Sequence, residues 1–167
     1  MEAISNSTPL IYLAKVSNLN LLKKLFNEII VPEEVYEEVV VKGEERGEPE
    51  VSLISDLFEE GFIRKEKARR PKRGLRGLHE AEGKAIDLCE EEGIDHILVD
   101  DKEAFKLAKL LGLEPWRTSS IILKFFELGE IDYRKLRRAL QDLSNAGYFM
   151  TAEVYELILG KARELKG

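Results

Sequence analysis

The sequence predicts an α/β fold: a three-layer α/β/α arrangement with a central parallel sheet, followed by extra helices at the C-terminal end. Three observations carry this expectation. Short apolar runs that read as strands alternate with amphipathic helical stripes from Ala3 to Leu128, the pattern of strand-helix units in a sheet covered on both faces. At 167 residues the chain suits one domain with a full core. Its 44% hydrophobic and 35% charged residues are those of a folded protein, not a disordered one. No internal repeat breaks the pattern. Residues 1–130 are expected to form the α/β domain, and residues 131–167 a helical extension packed on it.

In order, Ala3–Ser5 reads as a very short first strand, ended by the turn-prone run Asn6-Ser7-Thr8. Pro9 then suits the first turn of a helix carrying Leu10, Ile11, Leu13 and Ala14. Ser17 or Asn18 caps a second short helix over Leu19–Phe26. Glu28–Val31 is a β-branched strand, after which Pro32 opens a helix whose apolar face is Val35, Tyr36, Val39 and Val40. Lys42–Pro49 reads as a charged loop, Val51–Glu60 as an amphipathic helix closed by Gly61, and Phe62–Lys65 as a strand. Ala68–Gly77 is a basic loop punctuated by Pro and Gly, leading to a helix over Leu78–Glu92.

The stretch His96–Ala108 then joins a buried strand, Ile97–Val99, directly to a helix with Ala104, Leu107, Ala108 and Leu111 on one stripe. Leu113–Trp116 is a further strand, and Thr118 or Ser119 caps the helix Ile121–Leu128. Helices over Tyr133–Asn145 and Thr151–Glu164 complete the chain, with Thr151 as an N-cap and Gly147 as a hinge.

Composition narrows the function classes. One cysteine permits no internal disulfide, so Cys89 is expected to be a reduced core thiol in a cytoplasmic protein. No positively charged lead into an apolar core marks a secretory signal, and no apolar run approaches the length of a membrane span. Abundant Glu, Lys and Arg beside two Met point towards a thermophile. The net charge is −6, yet Arg64 to Arg76 holds eight Lys/Arg against a single Glu. Such a segment suits a phosphate backbone, with Arg69, Arg70, Lys72, Arg73 and Arg76 as the candidate contacts.

The candidate chemistry lies in the carboxylates. Asp100 and Asp101 follow a strand directly, where open α/β sheets place their ligands. Side by side they repel unless a cation or hydrogen-bond donors neutralise them; helix capping by one and solvation of the other is the plainer alternative. Glu82 shares a helical stripe with Ala85, Ile86 and Cys89, and Glu38 lies at the edge of one with Val35 and Val41. A carboxylate facing a core must be paired, protonated or bound to a cation. Gathered at one sheet edge, these four would form an oxygen-donor set selecting Mg²⁺ or Mn²⁺. The reaction class that follows is attack of a metal-activated water on a phosphodiester. Asn6, Ser7, Thr8, Thr118 and Ser119 sit at strand ends where they would complete the hydrogen bonding.

Other motifs fail. Gly77–Lys84 has the wrong glycine spacing for a phosphate loop, and Ala85 follows its lysine. His79 and His96 have no zinc-ligand partners at usable spacing, and no Ser or Cys shows a nucleophile signature. Trp116 reads as a core or interface aromatic rather than a base-stacking platform. A phospho-receiver domain is disfavoured because the acidic pair follows a mid-chain strand rather than the first.

Several blocks together resemble the PIN-domain superfamily, in its prokaryotic nucleic-acid-binding branch: Ile4–Leu13 (ISNSTPLIYL), Ile30–Val39 (IVPEEVYEEV), Leu78–Ile86 (LHEAEGKAI), Ile97–Ala104 (ILVDDKEA) and Leu143–Val154 (LSNAGYFMTAEV). The resemblance implies a parallel sheet with an acidic groove at its carboxyl edge that binds Mg²⁺ or Mn²⁺ and cleaves single-stranded RNA. It also implies a toxin restrained by a small antitoxin, and a homodimer. By position, Glu38, Glu82 and Asp101 match the family's acidic residues, with Asp100 as an alternative ligand and Thr118 placing the attacking water. The first acidic position of the family falls on Asn6, which keeps an oxygen but removes a charge from the metal site. That departure lowers the expected metal affinity. It leaves a second reading, a weakened or inactive module that binds RNA or a protein.

Overall fold

The computed structural model describes residues 1–70 and 80–166. Strands β1 (Glu2–Ser5), β2 (Glu28–Pro32), β3 (Ile63–Glu66), β4 (His96–Leu98) and β5 (Glu114–Trp116) form one all-parallel sheet in the order β3-β2-β1-β4-β5. The three central strands, β2, β1 and β4, are apolar on both sides because both sides are covered. Ala3, Ile29, Val31 and Leu98 point into one hydrophobic cluster, while their neighbours Ile4, Ile30, Ile97 and Val99 point into the other, the two-residue alternation of strand side chains. The expected three-layer α/β/α architecture is what forms.

On the first face lie α1 (Ser7–Lys15), a 3₁₀ turn over Leu19–Lys24, α2 (Glu33–Tyr36), α3 (Lys42–Glu45) and α4 (Val51–Glu59). The expected helix Leu19–Phe26 is thus a 3₁₀ segment, with no side-chain cap from Asn18. A larger difference follows Pro32. The residues Glu37–Val41 between α2 and α3 are π-helical, so one continuous helical rod runs from Glu33 to Glu45 into the stretch expected to be a loop. The wider π turn keeps Val35, Val39 and Val40 buried while leaving Glu38 exposed. Such insertions are frequent at functional sites.

The other face is covered by α5 (Glu80–Glu92) and α6 (Lys102–Leu110). Beyond β5, α7 (Thr118–Glu127) and α8 (Tyr133–Asn145) pack with α1, α9 (Ala152–Lys166) packs on α7 and α8, and Phe125, Leu140 and Leu159 share one cluster with Leu10 and Leu13. Thr151 caps α9 through its hydroxyl, which accepts from the Val154 N–H at 3.1 Å. Gly147 leaves α8 with φ +96°, a turn that glycine makes without steric cost. No described helix is long and apolar enough to cross a membrane.

The register places the site. Ser5 pairs with Leu98, and Leu98 with Trp116. The ladder continues one step past the strands, with Asn6 N–H donating to Leu98 at 3.0 Å and Val99 N–H to Trp116 at 2.9 Å. Asn6, Asp100 and Thr118 therefore emerge at the same edge. The order of connections reverses between β1 and β4, and crevices at such reversals are where open α/β sheets bind ligands.

Candidate active site

A cleft of about 510 Å³ opens at this edge, lined by Asn6, Ser7, Thr8, Glu38, Ala81, Glu82, Asp100 and Asp101. Four parts of the chain meet there: the start of α1, the π-helical turn, the first turn of α5, and the link from β4 to α6. Glu38, Glu82, Asp100 and Asp101, separated by up to 63 positions in sequence, all line it.

Each side chain is held differently. Asn6 occupies the N-cap of α1 with φ −82° and ψ 175°, yet makes no capping bond. Pro9 stands at the third helical position, so one of the two N–H groups that a cap side chain ordinarily takes is missing. Among the described residues the buried Asn6 Oδ1 has no hydrogen-bond partner, a loss of about 1–3 kcal/mol for a buried acceptor left unsatisfied. Its neighbour Ser7 donates to Glu38 Oε2 at 2.7 Å. That bond fixes an otherwise exposed carboxylate against the cleft.

Glu82 lies half-buried on the first turn of α5, where the positive end of the helix dipole favours a carboxylate. One residue pair braces this turn against the rod that carries Glu38: Lys84 Nζ donates to Glu34 at 2.7 Å, linking α5 to α2.

The two aspartates have separate duties. Asp101 is the N-cap of α6, and its Oδ2 accepts from Ala104 N–H at 2.9 Å. Asp100 accepts three hydrogen bonds: from Thr118 N–H at 2.9 Å and the Tyr148 hydroxyl at 2.6 Å on Oδ1, and from the Thr118 hydroxyl at 2.6 Å on Oδ2. Donors, rather than solvent, balance its charge. Burial first, then the charge and hydrogen bond of Asp100, push the Tyr148 phenol well above its ordinary value.

The sequence assigns Thr118 to placing the attacking water. In the structure it is fully buried, and its hydroxyl donates to Asp100. Nor is it the cap of its helix, since Arg117 takes that position without a side-chain bond. Among the described residues, no three His, Cys, Asp or Glu side chains stand close enough to hold a metal ion. The donor set nevertheless fits a hard cation: every candidate is an oxygen, and one of them, Asn6 Oδ1, is buried and unsatisfied.

The basic segment is placed less favourably. The backbone N–H groups of Arg69 and Arg70 donate to Glu91 at 2.9 and 2.7 Å, and chiefly the Arg69 N–H holds the Glu91 carboxyl below its usual range. Glu91 is at the far end of α5 from Glu82, roughly 14 Å along the axis at 1.5 Å per residue. Arg69 and Arg70 therefore do not flank the cleft; Lys72, Arg73 and Arg76 lie outside the described residues. His96 begins β4 and accepts from Trp116 Nε1 at 3.2 Å, away from the carboxylates.

Tyr148 escaped the sequence reading. Its only signal was an aromatic directly after Gly147, since the bond to Asp100 spans 48 residues.

A family model described as a PIN domain matches residues 2–164. No curated protein and no solved structure matches the chain. A five-stranded parallel sheet, an acidic cleft at the reversal of its connections and a family match over nearly the whole length agree: the chain belongs to the PIN-domain family, a nuclease-like fold whose members generally use divalent metals.

Proposed function

We propose that this protein is a divalent-metal-dependent ribonuclease that cleaves single-stranded RNA. One observation carries the reading: Glu38, Glu82 and Asp101 line a single cleft with the unsatisfied Asn6 Oδ1, at the sheet edge where such folds bind ligands. Asn6, Glu38, Glu82 and Asp101 would hold Mg²⁺ or Mn²⁺. A bound ion of this kind lowers the pKa of its water and offsets the charge of the phosphodiester. Ser7 orients Glu38, while Asp100 acts as a positioning residue by tying the start of α7 and Tyr148 to the end of β4. The same reading makes the protein a toxin restrained by a small antitoxin, and a homodimer.

A second reading follows from Asn6 and from the separation of the carboxylates: a module that binds RNA or a protein partner without cutting. Cleavage of a single-stranded RNA panel in Mn²⁺ by the protein, Asn6→Asp and Asp101→Asn separates the two. A nuclease cuts as it stands, cuts faster as Asn6→Asp, and is silenced by Asp101→Asn. Cleavage by Asn6→Asp alone identifies an intact scaffold that binds without cutting, and silence from all three refutes the nuclease reading.

A further inference from the structure

A second cavity, of about 610 Å³, adjoins the carboxylate cleft and shares Thr8, Asp100 and Asp101 with it. Its chemistry is different. Tyr12 and Tyr148 meet edge to face within its lining, with ring centres 5.2 Å apart and planes at 76°. The link between α8 and α9 supplies Phe149, which is 87% exposed although it is one of the largest apolar side chains in the protein. Two cations complete the lining: Lys102 from the first turn of α6, and Arg117 from the N-cap of α7. Among the described residues neither is engaged in an ion pair, and the Arg117 guanidinium rests 4.1 Å from the centre of the Phe105 ring.

An exposed aromatic beside two cations that no carboxylate pairs among the described residues stands out on a chain of net charge −6. A polyanion approaching the acidic cleft is repelled unless positive charge stands beside it. Lys102 and Arg117 supply that charge next to Asp100 and Asp101, which Arg69 and Arg70 do not. Base faces stack on aromatic rings without regard to sequence, and backbone phosphates follow cations. We propose that this cavity is a subsite for single-stranded nucleic acid. A base flanking the reacting phosphodiester stacks on Phe149, and adjacent phosphates lie against Lys102 and Arg117. The assignment rests on the nuclease reading for the strand's path into the cleft, but binding is measurable without cleavage.

The test is fluorescence anisotropy of a 5′-labelled hexauridylate in EDTA across a series of salt concentrations. The proteins are the wild type, Phe149→Ala, Phe149→Trp and the double variant Lys102→Gln/Arg117→Gln. Phe149→Ala should weaken binding about tenfold, as loss of a stacked base does, and Phe149→Trp should restore it. The double variant should lower the slope of log affinity against log salt by about 1.4, at roughly 0.7 for each single-strand phosphate contact. Because Phe149 is exposed, its replacement leaves the fold intact, and thermal melting verifies the double variant. Wild-type protein that binds no oligonucleotide, or binding unaffected by Phe149→Ala, overturns the subsite. A protein partner on this face would give the latter result. Parallel cleavage in Mn²⁺ separates the two proposals. Binding sensitive to Phe149 without cleavage keeps the subsite and removes the nuclease. Cleavage with equal KM in wild type and Phe149→Ala does the reverse.

Discussion

Replacing Tyr148 by Phe removes one hydroxyl and little else. The ring and its edge-to-face contact with Tyr12 stay, while Asp100 loses the 2.6 Å bond and keeps both donors from Thr118. A hydrogen bond to a charged group contributes about 1.5–3 kcal/mol, which for a domain of this size lowers the melting temperature by roughly 3–12 °C. The pH dependence is more diagnostic. In the unfolded chain the phenol ionises near its ordinary value of about 10, whereas in the folded protein burial and Asp100 hold the proton to higher pH. Above pH 10 the unfolded state binds fewer protons than the folded one, so stability falls as pH rises. The contribution of Tyr148 is therefore complete below pH 10 and lost progressively above it. Urea unfolding of both proteins should show a gap that is constant from pH 7 to 9.5 and then narrows by about 1.4 kcal/mol per pH unit. Lysines titrating in the same range cancel in the difference. A gap that is absent at pH 7, or unchanged at pH 11, refutes the tether between Tyr148 and Asp100.

Two further substitutions separate stability from chemistry. Asp101→Asn preserves the cap of α6, since Asn caps as well as Asp; it should melt with the wild type yet lose Mn²⁺-dependent cleavage, whereas Asp101→Ala should lose about 1 kcal/mol as well. Ser7→Ala frees an exposed Glu38 and should change the metal-free unfolding free energy by no more than about 1 kcal/mol. Removal of such an orienting partner costs on the order of 10–100-fold in metal affinity. A titration of the melting temperature with Mn²⁺ should therefore shift to higher concentration.

What the sequence revealed and what it concealed divide along range of interaction. The strands were legible because Ile29–Val31 and Ile97–Val99 are apolar on both sides, and α8 because its stripe Leu136, Ala139, Leu140 and Leu143 is unbroken. Asp100 and Asp101 stood out because they follow a strand directly, and Glu38 and Glu82 because each interrupts or borders an apolar helical stripe; the one cleft that all four line depends on the strand order, which no local pattern encodes. The π-helical turn was not legible, since one extra residue per turn leaves no mark on a valine-rich stripe. Nor was the position of Arg69 and Arg70, which is decided by their bonds to the far end of α5 rather than by their charge.

The two adjacent aspartates show the same division within one dipeptide. Asp101 takes its partner three residues on, a local bond that any helix start offers. Asp100 takes partners 18 and 48 residues on, and their three hydrogen bonds compensate its charge before any cation arrives. On the proposed function, Glu38, Glu82 and Asp101 are then the carboxylates left to balance a divalent ion, with Asn6 adding an oxygen but no charge. Three carboxylates around a doubly charged cation leave one net negative charge facing the RNA, where an aspartate at position 6 would leave two. The substitution thus trades affinity for the ion against repulsion of the phosphodiester. Saturating Mn²⁺ removes the first effect and leaves the second, so Asn6→Asp should then bind RNA more weakly than the wild type, and equal RNA affinity at saturating Mn²⁺ would refute the trade.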